Sequence, residues 1–320
     1  MGSTLKEAAR QSLVVMKNEI KKYFSGKRMY VFSALLAIIV FVIVVAPYMF
    51  GGEAHPVYFL MMSSLVVLMA ATLFASISIV SEYEERTALI VFTRPIRKTS
   101  IFVGKALACL VLTIGFMILY YVIAIIVSAA INHSVSSDIF VSLGLACAYA
   151  FGTVGIAMFV SSIMKKGSTA TIITFVILAV IITAFSLVLS AANVESYWMI
   201  DQAANSITTC SQEYRDMTNE QIQQLMTSLI NPEDAFINFD LYSEMIKSLF
   251  TVDLSSDQLI YAMKNPNSDG NAAWNLAILS EMTDSMTVVE PNYVRDVFVM
   301  IGWGAIAMVG AFVAFLRREF

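Results

Sequence analysis

Residues 57–105 read VYFLMMSSLVVLMAATLFASISIVSEYEERTALIVFTRPIRKTSIFVGK, and the order of events along that stretch decides the fold. It opens with 25 residues (57–81) that carry no formal charge, enough for a helix to cross roughly 30 Å of hydrocarbon. A dense run of both charge signs follows from Glu82 to Lys98, and a second uncharged stretch begins directly after Lys105. An apolar span, a short charged connection and another apolar span describe a chain that crosses a membrane and returns.

The same pattern recurs outward in both directions. Uncharged stretches cover residues 29–50, 57–81, 106–131, 139–164, 169–193 and 297–316, each about the length a spanning helix needs. None alternates with period two, which argues against a transmembrane barrel. The composition agrees: 58% of the 320 residues are hydrophobic and 14% charged, whereas soluble domains carry about 25% charged residues. The first apolar run starts after 28 residues and lacks a small-residue cleavage site, so it reads as a span and not as a cleaved signal peptide. Three cysteines and two histidines exclude a disulfide framework and leave little for zinc or proton chemistry.

Orientation follows from the basic residues. Seven lie ahead of the first span, five between Glu82 and Lys105, two at Lys165 and Lys166, and two at Arg317 and Arg318. These connections fall on one side and hold 16 of the 20 basic residues, so both termini are expected in the cytoplasm. The fifth connection, residues 194–296, carries 16 of the 24 acidic residues. It is long enough for a small extracytoplasmic domain. Helix signals recur in it. Thr218 with Gln221 resembles a capping box ahead of Ile222, Leu225, Met226 and Leu229, with a stop at Asn231-Pro232, and Ser255 with Gln258 repeats the motif. At the N-terminus, Leu5, Ala9, Leu13, Met16, Ile20 and Tyr23 form one helical stripe with Lys6, Arg10, Lys17 and Lys21 off it. That is the pattern of a helix lying in the cytoplasmic headgroup layer.

The charged connection has a physical reading of its own. The helix of span two should continue into the acidic cluster Glu82, Glu84 and Glu85, ahead of Thr87. A short apolar piece with Leu89 and Phe92 follows, then a break at Pro95 flanked by Arg94, Arg97 and Lys98. A short amphipathic helix of this kind suits a docking surface: its apolar side fills a groove while both charge signs set register.

These residues resemble a known family, the type-2 ABC-transporter permeases, which are the membrane subunits of ABC exporters. Members show Glu-x-Gly-Thr after span two, Pro, a basic residue three positions later, and Gly-Lys entering span three. Glu84, Thr87, Pro95, Lys98, Gly104 and Lys105 stand at those spacings, with Arg86 in place of the Gly. The resemblance implies that Glu82, Glu84, Glu85, Thr87, Leu89, Phe92, Arg94, Pro95, Arg97 and Lys98 form a coupling helix on a separate ABC ATPase subunit. It also implies a second permease subunit, identical or paralogous, in contact within the lipid bilayer.

What the sequence lacks sharpens this. Gly104-Lys105 has no upstream Gly and no following Ser or Thr, so there is no phosphate-binding loop and the chain is expected to be no enzyme itself. No cofactor, metal or nucleic acid is called for. The six uncharged stretches hold no Asp, Glu, Lys, Arg or His, which argues against a proton- or ion-coupled carrier. Gly144, Ala148, Gly152 and Gly155 in span four permit close helix contact, within the chain or across a dimer. Span Ser and Thr residues are expected mostly to bond back to their own helix. The expected fold is an all-α membrane protein with six transmembrane helices. Its parts are an amphipathic interfacial helix (1–28), spans one to five (29–193) with the coupling segment 82–105, a mainly helical extracytoplasmic insertion (194–296), and span six with the C-terminus (297–320). The expected function is the permease of an ATP-driven exporter. The alternative is a non-transporting subunit that relays ATPase motion to an extracytoplasmic partner.

Overall fold

The computed structural model describes residues 2–49, 55–84, 97–132, 136–192, 194, 196–230 and 288–317. Every regular element among the described residues is helical: α1 (Gly2–Phe24), α2 (Lys27–Met49), α3 (Val57–Phe74), α4 (Val80–Glu84), α5 (Lys98–Asn132), α6 (Asp138–Ile163), α7 (Gly167–Val176), α8 (Ile182–Ala191), α9 (Ile200–Ala204), α10 (Ser206–Thr209), α11 (Gln212–Ile230) and α12 (Tyr293–Arg317). A single π-helical turn, Ile177–Ile181, joins α7 to α8. Six helical stretches are long and apolar enough to cross a membrane: Lys27–Pro47, Val57–Phe74, Lys98–Ala130, Asp138–Ile163, Gly167–Leu189 and Tyr293–Arg317. They correspond one to one with the uncharged stretches. In lipid, a helix is the way for an open chain to satisfy its own backbone.

The chain divides into two compact units. The first comprises Met1–Ser186, Tyr197–Cys210 and Pro291–Phe320, and so contains most of the apolar helices. Within it, α6 and α12 pack along glycines. A Cβ on Gly155 would stand 2.6 Å from the Gly304 carbonyl oxygen, and one on Gly304 would stand 2.5 Å from Phe151. Gly152 admits Ile200 and the Met300 carbonyl in the same way. The small-residue run of span four therefore serves contacts inside the chain at Gly152 and Gly155, while Gly144 meets nothing within 4 Å.

Two elements depart from expectation in this unit. Span two does not run on into the acidic cluster: α3 stops at Phe74, the chain turns through residues 75–79, and α4 starts afresh at Val80. Donors and an acceptor from other elements hold the opened backbone, as described below. In α1 the packed face is rotated only partly from the apolar stripe, of which Tyr23 is buried and Ile20 packs against the core. Ser12 and Tyr23 are buried, Glu19 is half-buried, and Leu13 and Val14 are each 54% exposed. Gly104 explains the rotation. A Cβ there would lie 2.7 Å from both the Ser12 carbonyl oxygen and the Val15 Cβ, so bare backbone on α5 receives this face of α1.

The second unit comprises Leu187–Ser196 and Ser211–Glu290. Its main described element is α11, and here the capping expectation is corrected. Thr218 lies inside the helix, and Ser211 sits at its start, its Oγ accepting the Tyr214 N–H at 3.4 Å. A hydroxyl placed before the first turn meets orphan N–H groups that Thr218, mid-helix, cannot reach. Further on, the Asn219 amide clamps one backbone residue: Val288 N–H donates to Oδ1 at 2.8 Å, and Nδ2 donates to the Val288 carbonyl at 3.3 Å. The Ser255 and Gln258 signal lies outside the described residues.

Candidate functional site

Opening a helix within a membrane bundle strands backbone groups, and each must find a partner. At the turn after α3, local backbone bonds such as Ala75 N–H to the Ala71 carbonyl and Ser78 N–H to the Ala75 carbonyl are supplemented by imported side chains. The Phe74 carbonyl accepts the Tyr23 hydroxyl at 2.8 Å and the Cys109 thiol at 3.9 Å. The Ser78 carbonyl accepts Lys105 Nζ at 2.9 Å. The Ile79 and Val80 N–H groups both donate to Ser161 Oγ, at 3.1 and 3.2 Å. Ser76 Oγ also contacts Thr171 Oγ1 at 3.0 Å. Helices α1, α5, α6 and α7 thus all reach into one turn. Beneath it, Phe74 stacks on Phe116 at 5.6 Å between ring centroids, with Phe32 and Tyr23 edge-on to Phe74, so the opened turn rests on a rigid apolar floor. Burial pushes the Tyr23 hydroxyl well above its ordinary pKa, which keeps it a donor.

The charges gather at the same place. Lys105 Nζ stands 2.6 Å from Glu19 Oε1 and 2.8 Å from Glu82 Oε1, and the Lys105 side chain is 1% exposed. Three elements meet on this one ammonium: α1 through Glu19, α4 through Glu82 and α5 through Lys105 itself. Two residues on, Glu84 faces another way. Its Oε2 accepts the Gly167 N–H at 2.8 Å, at the first turn of α7. A carboxylate at a helix N-terminus satisfies an orphan donor and meets the positive end of the macrodipole. Gly167 is the residue that admits it, since a Cβ there would stand 2.9 Å from Glu84 Oε2. The five residues of α4 therefore send one carboxylate to α1 and α5 and another to α7.

Of the residues singled out in the sequence, Glu82 and Glu84 are those the structure ties to other elements. Arg97 and Lys98 are exposed at the start of α5, where the Arg97 carbonyl accepts the Ser100 N–H at 2.9 Å. Glu85, Thr87, Leu89, Phe92, Arg94 and Pro95 lie outside the described residues. Gly104 and Lys105, quoted only for their spacing, acquire physical roles: Gly104 seats α1 and Lys105 holds it. Glu19, Ser161 and Gly167 were not anticipated. One signal was present: a lysine at the mouth of a long apolar helix needs a carboxylate, and α1 offers only Glu7 and Glu19.

The opposite end of the same unit is tied between helices mainly by neutral groups, beside a local ion pair of Arg295 Nε with Asp296 Oδ1 at 3.0 Å. Tyr121 hydroxyl contacts Ser142 Oγ at 2.6 Å and Ser63 Oγ at 3.1 Å, and Ser142 Oγ donates to the Ile207 carbonyl at 2.6 Å. Thr208 Oγ1 donates to the Leu60 carbonyl at 3.2 Å, and Trp303 Nε1 to the Trp198 carbonyl at 3.0 Å. These bonds fasten the short helices α9 and α10 over α3, α5 and α6. Elsewhere the span hydroxyls mostly bond to their own helix, as Ser63, Thr72, Thr153 and Thr174 do. Among the described residues, no three His, Cys, Asp or Glu side chains come together as a metal site requires.

Comparison with known proteins bears on the whole chain. The family model of the ABC-2 family transporter proteins matches residues 48–320, which is six-sevenths of the sequence and includes all spans but the first. No curated protein matches it.

Proposed function

The chain belongs to the ABC-2 family of transporter proteins, a family of membrane transport components, and from that premise we propose that it is the permease subunit of an ATP-driven exporter. Its partners are a separate ABC ATPase subunit and a second permease, identical or paralogous. Residues 82–98 dock on the ATPase. The observation that carries this reading is the rooting of that segment: α4, which leads into it, is bonded through Glu82 to Lys105 and through Glu84 to the N-terminus of α7. A loop that merely connected two spans would need neither bond.

The mechanism is mechanical. ATP closes the ATPase pair, segment 82–98 is carried with it, and the two carboxylates of α4 pass the displacement to α1, α5 and α7. Spans one, two and five reshape the contact with the second permease. Both termini and the docking segment are cytoplasmic, α1 lies in the headgroup layer, and the acidic region after span five is extracytoplasmic and mainly helical. Single Cys probes at positions 6 and 319 should resist an impermeant thiol reagent in intact cells while one at 240 labels; the reverse pattern inverts the topology.

The deciding experiment is reconstitution. The purified chain alone should hydrolyse no ATP, and with its ATPase in proteoliposomes it should drive ATP-dependent efflux of a substrate. Intrinsic hydrolysis by the chain contradicts the assignment. Stimulated hydrolysis with no vectorial movement of any lipid, peptide or glycan probe favours the force-relay alternative, in which the outer region engages a separate partner.

A further inference from the structure

We infer that Lys105 and Glu19 are positioning residues for coupling, through which the N-terminal helix α1 and the root of the docking segment move as one body. The inference rests on reading residues 82–98 as the ATPase dock. It starts from a contrast in how α4 is held. Along the chain, α4 is joined to α3 through the turn at residues 75–79, where backbone bonds such as Ser81 N–H to the Ile77 carbonyl stand beside the side-chain bonds of Lys105 and Ser161. Across space, it is tied by Glu82 to an ammonium that also grips Glu19 and the Ser78 carbonyl. The ionic connection therefore ties α4 directly to α1 and α5, in addition to its covalent connection to α3. A displacement of α4 passes to α1 and α5 through these ions.

The composition of the cluster supports a geometric role. Two carboxylates, with side chains 12% and 8% exposed, share one buried ammonium. Stability alone does not call for this arrangement, because apolar groups of similar size commonly serve as well as a buried ion network. What the ions add is direction: each oxygen must keep its place around one nitrogen. Gly104 fixes the remaining degree of freedom, since its bare backbone sets α1 flush against α5 one residue before the lysine.

The test uses the full chain in complex with its ATPase. One arm reads geometry by spin-label distance between Asn18→Cys on α1 and Ser81→Cys on α4, with Cys109, Cys147 and Cys210 replaced by alanine. The second arm reads stimulated ATP turnover per assembled complex. Lys105→Met alone strands two buried carboxylates and can fail to fold, so the informative variants are Glu19→Gln and the neutral triple Glu19→Gln/Glu82→Gln/Lys105→Met. The triple variant should insert at wild-type yield, yet show a broadened distance distribution. Its stimulated turnover should fall by about fivefold or more, the lower bound of a typical coupling between sites. Glu19→Gln should show both changes in smaller measure. An unchanged distance distribution, or wild-type turnover despite broadening, overturns the proposal. If the wild-type chain fails to stimulate any ATPase, the docking reading itself has failed. That outcome is visible before any variant is made and leaves the distance arm independent.

Discussion

The two ends of the helix bundle solve one problem with different chemistry. At each end the backbone leaves regular helix and its carbonyls need donors. At the end carrying the basic connections the donors include an ammonium, and two carboxylates complete the site: Lys105, Glu19 and Glu82, with Glu84 on the α7 terminus alongside. At the other end the donors are hydroxyls and an indole, from Tyr121, Ser142, Thr208 and Trp303. Neutral bonds of this sort contribute about 1 kcal/mol each and can be lost singly. A buried ion cluster cannot be dismantled one member at a time, because the remaining charge is left without compensation. The difference separates an end closed mainly by neutral bonds between helices from an end where three elements share one buried ammonium.

The contrast can be broken by measurement, and the largest expected effect comes first. Lys105→Met should destabilise the detergent-solubilised chain by about 3–5 kcal/mol, whereas the neutral triple variant with Glu19→Gln and Glu82→Gln should recover most of that loss. Thermal unfolding of the two side by side is the check, and equal losses would show that packing and not charge governs the site. Next, Glu84→Ala removes the acceptor at the α7 terminus and should cost about 1 kcal/mol, the usual worth of a helix cap. Glu84→Gln keeps an acceptor oxygen and should cost only about 0.3–1 kcal/mol through the lost charge–dipole term.

At the far end, Tyr121→Phe should cost about 1 kcal/mol with no change in stimulated ATP turnover. A loss as large as that of Lys105→Met would erase the distinction between the two ends. The smallest effect belongs to Asp201, which receives a 3.4 Å hydrogen bond from Thr183 and whose carboxyl is pushed above the usual carboxylate range by burial. A raised folded-state pKa means that the folded chain binds the proton more tightly than the unfolded one. The stability contribution is therefore greatest at acid pH and declines as pH rises through the raised pKa. Asp201→Asn should remove that decline, seen as a slightly flatter pH profile of the melting temperature.

The uncharged stretches gave the number and place of the spans because lipid demands about 20 apolar residues per crossing, a signal written locally in the chain. The opened turn after Phe74 left no such mark. Residues 75–79 read Ala-Ser-Ile-Ser-Ile, without Pro, Gly or charge, and nothing nearby says that a helix should stop. Tyr23 and Lys105 arrive from elsewhere in the sequence as donors and Ser161 as an acceptor, and such long-range partners are not legible in a local pattern. Glu19 was hidden for a related reason: the apolar periodicity of α1 drew the eye to Leu13, which is half exposed, and away from the polar face that packs. The family spacing pointed to Glu84, Gly104 and Lys105 without a reason for any of them. The structure supplies one each: a helix cap, a flush helix contact and a buried counter-ion. At α11 the Gln three residues after Thr218 suggested a cap in what is the middle of the helix, which starts just after Ser211.

The central claim is that residues 82–98 hold the ATPase, and affinity purification from native membranes tests it most directly. The tagged chain should bring down an ABC ATPase, recognised by its own phosphate-binding loop sequence. Leu89 and Phe92 are three apart and share a helical face if the segment is helical. Truncating a buried interface side chain of their size costs about 1–3 kcal/mol, a roughly 5- to 150-fold loss of affinity. Leu89→Ala with Phe92→Ala should therefore release the ATPase while the chain still reaches the membrane at wild-type level. If the double variant retains the ATPase in wild-type amount, the segment is an ordinary connection between two spans and the account of coupling is wrong.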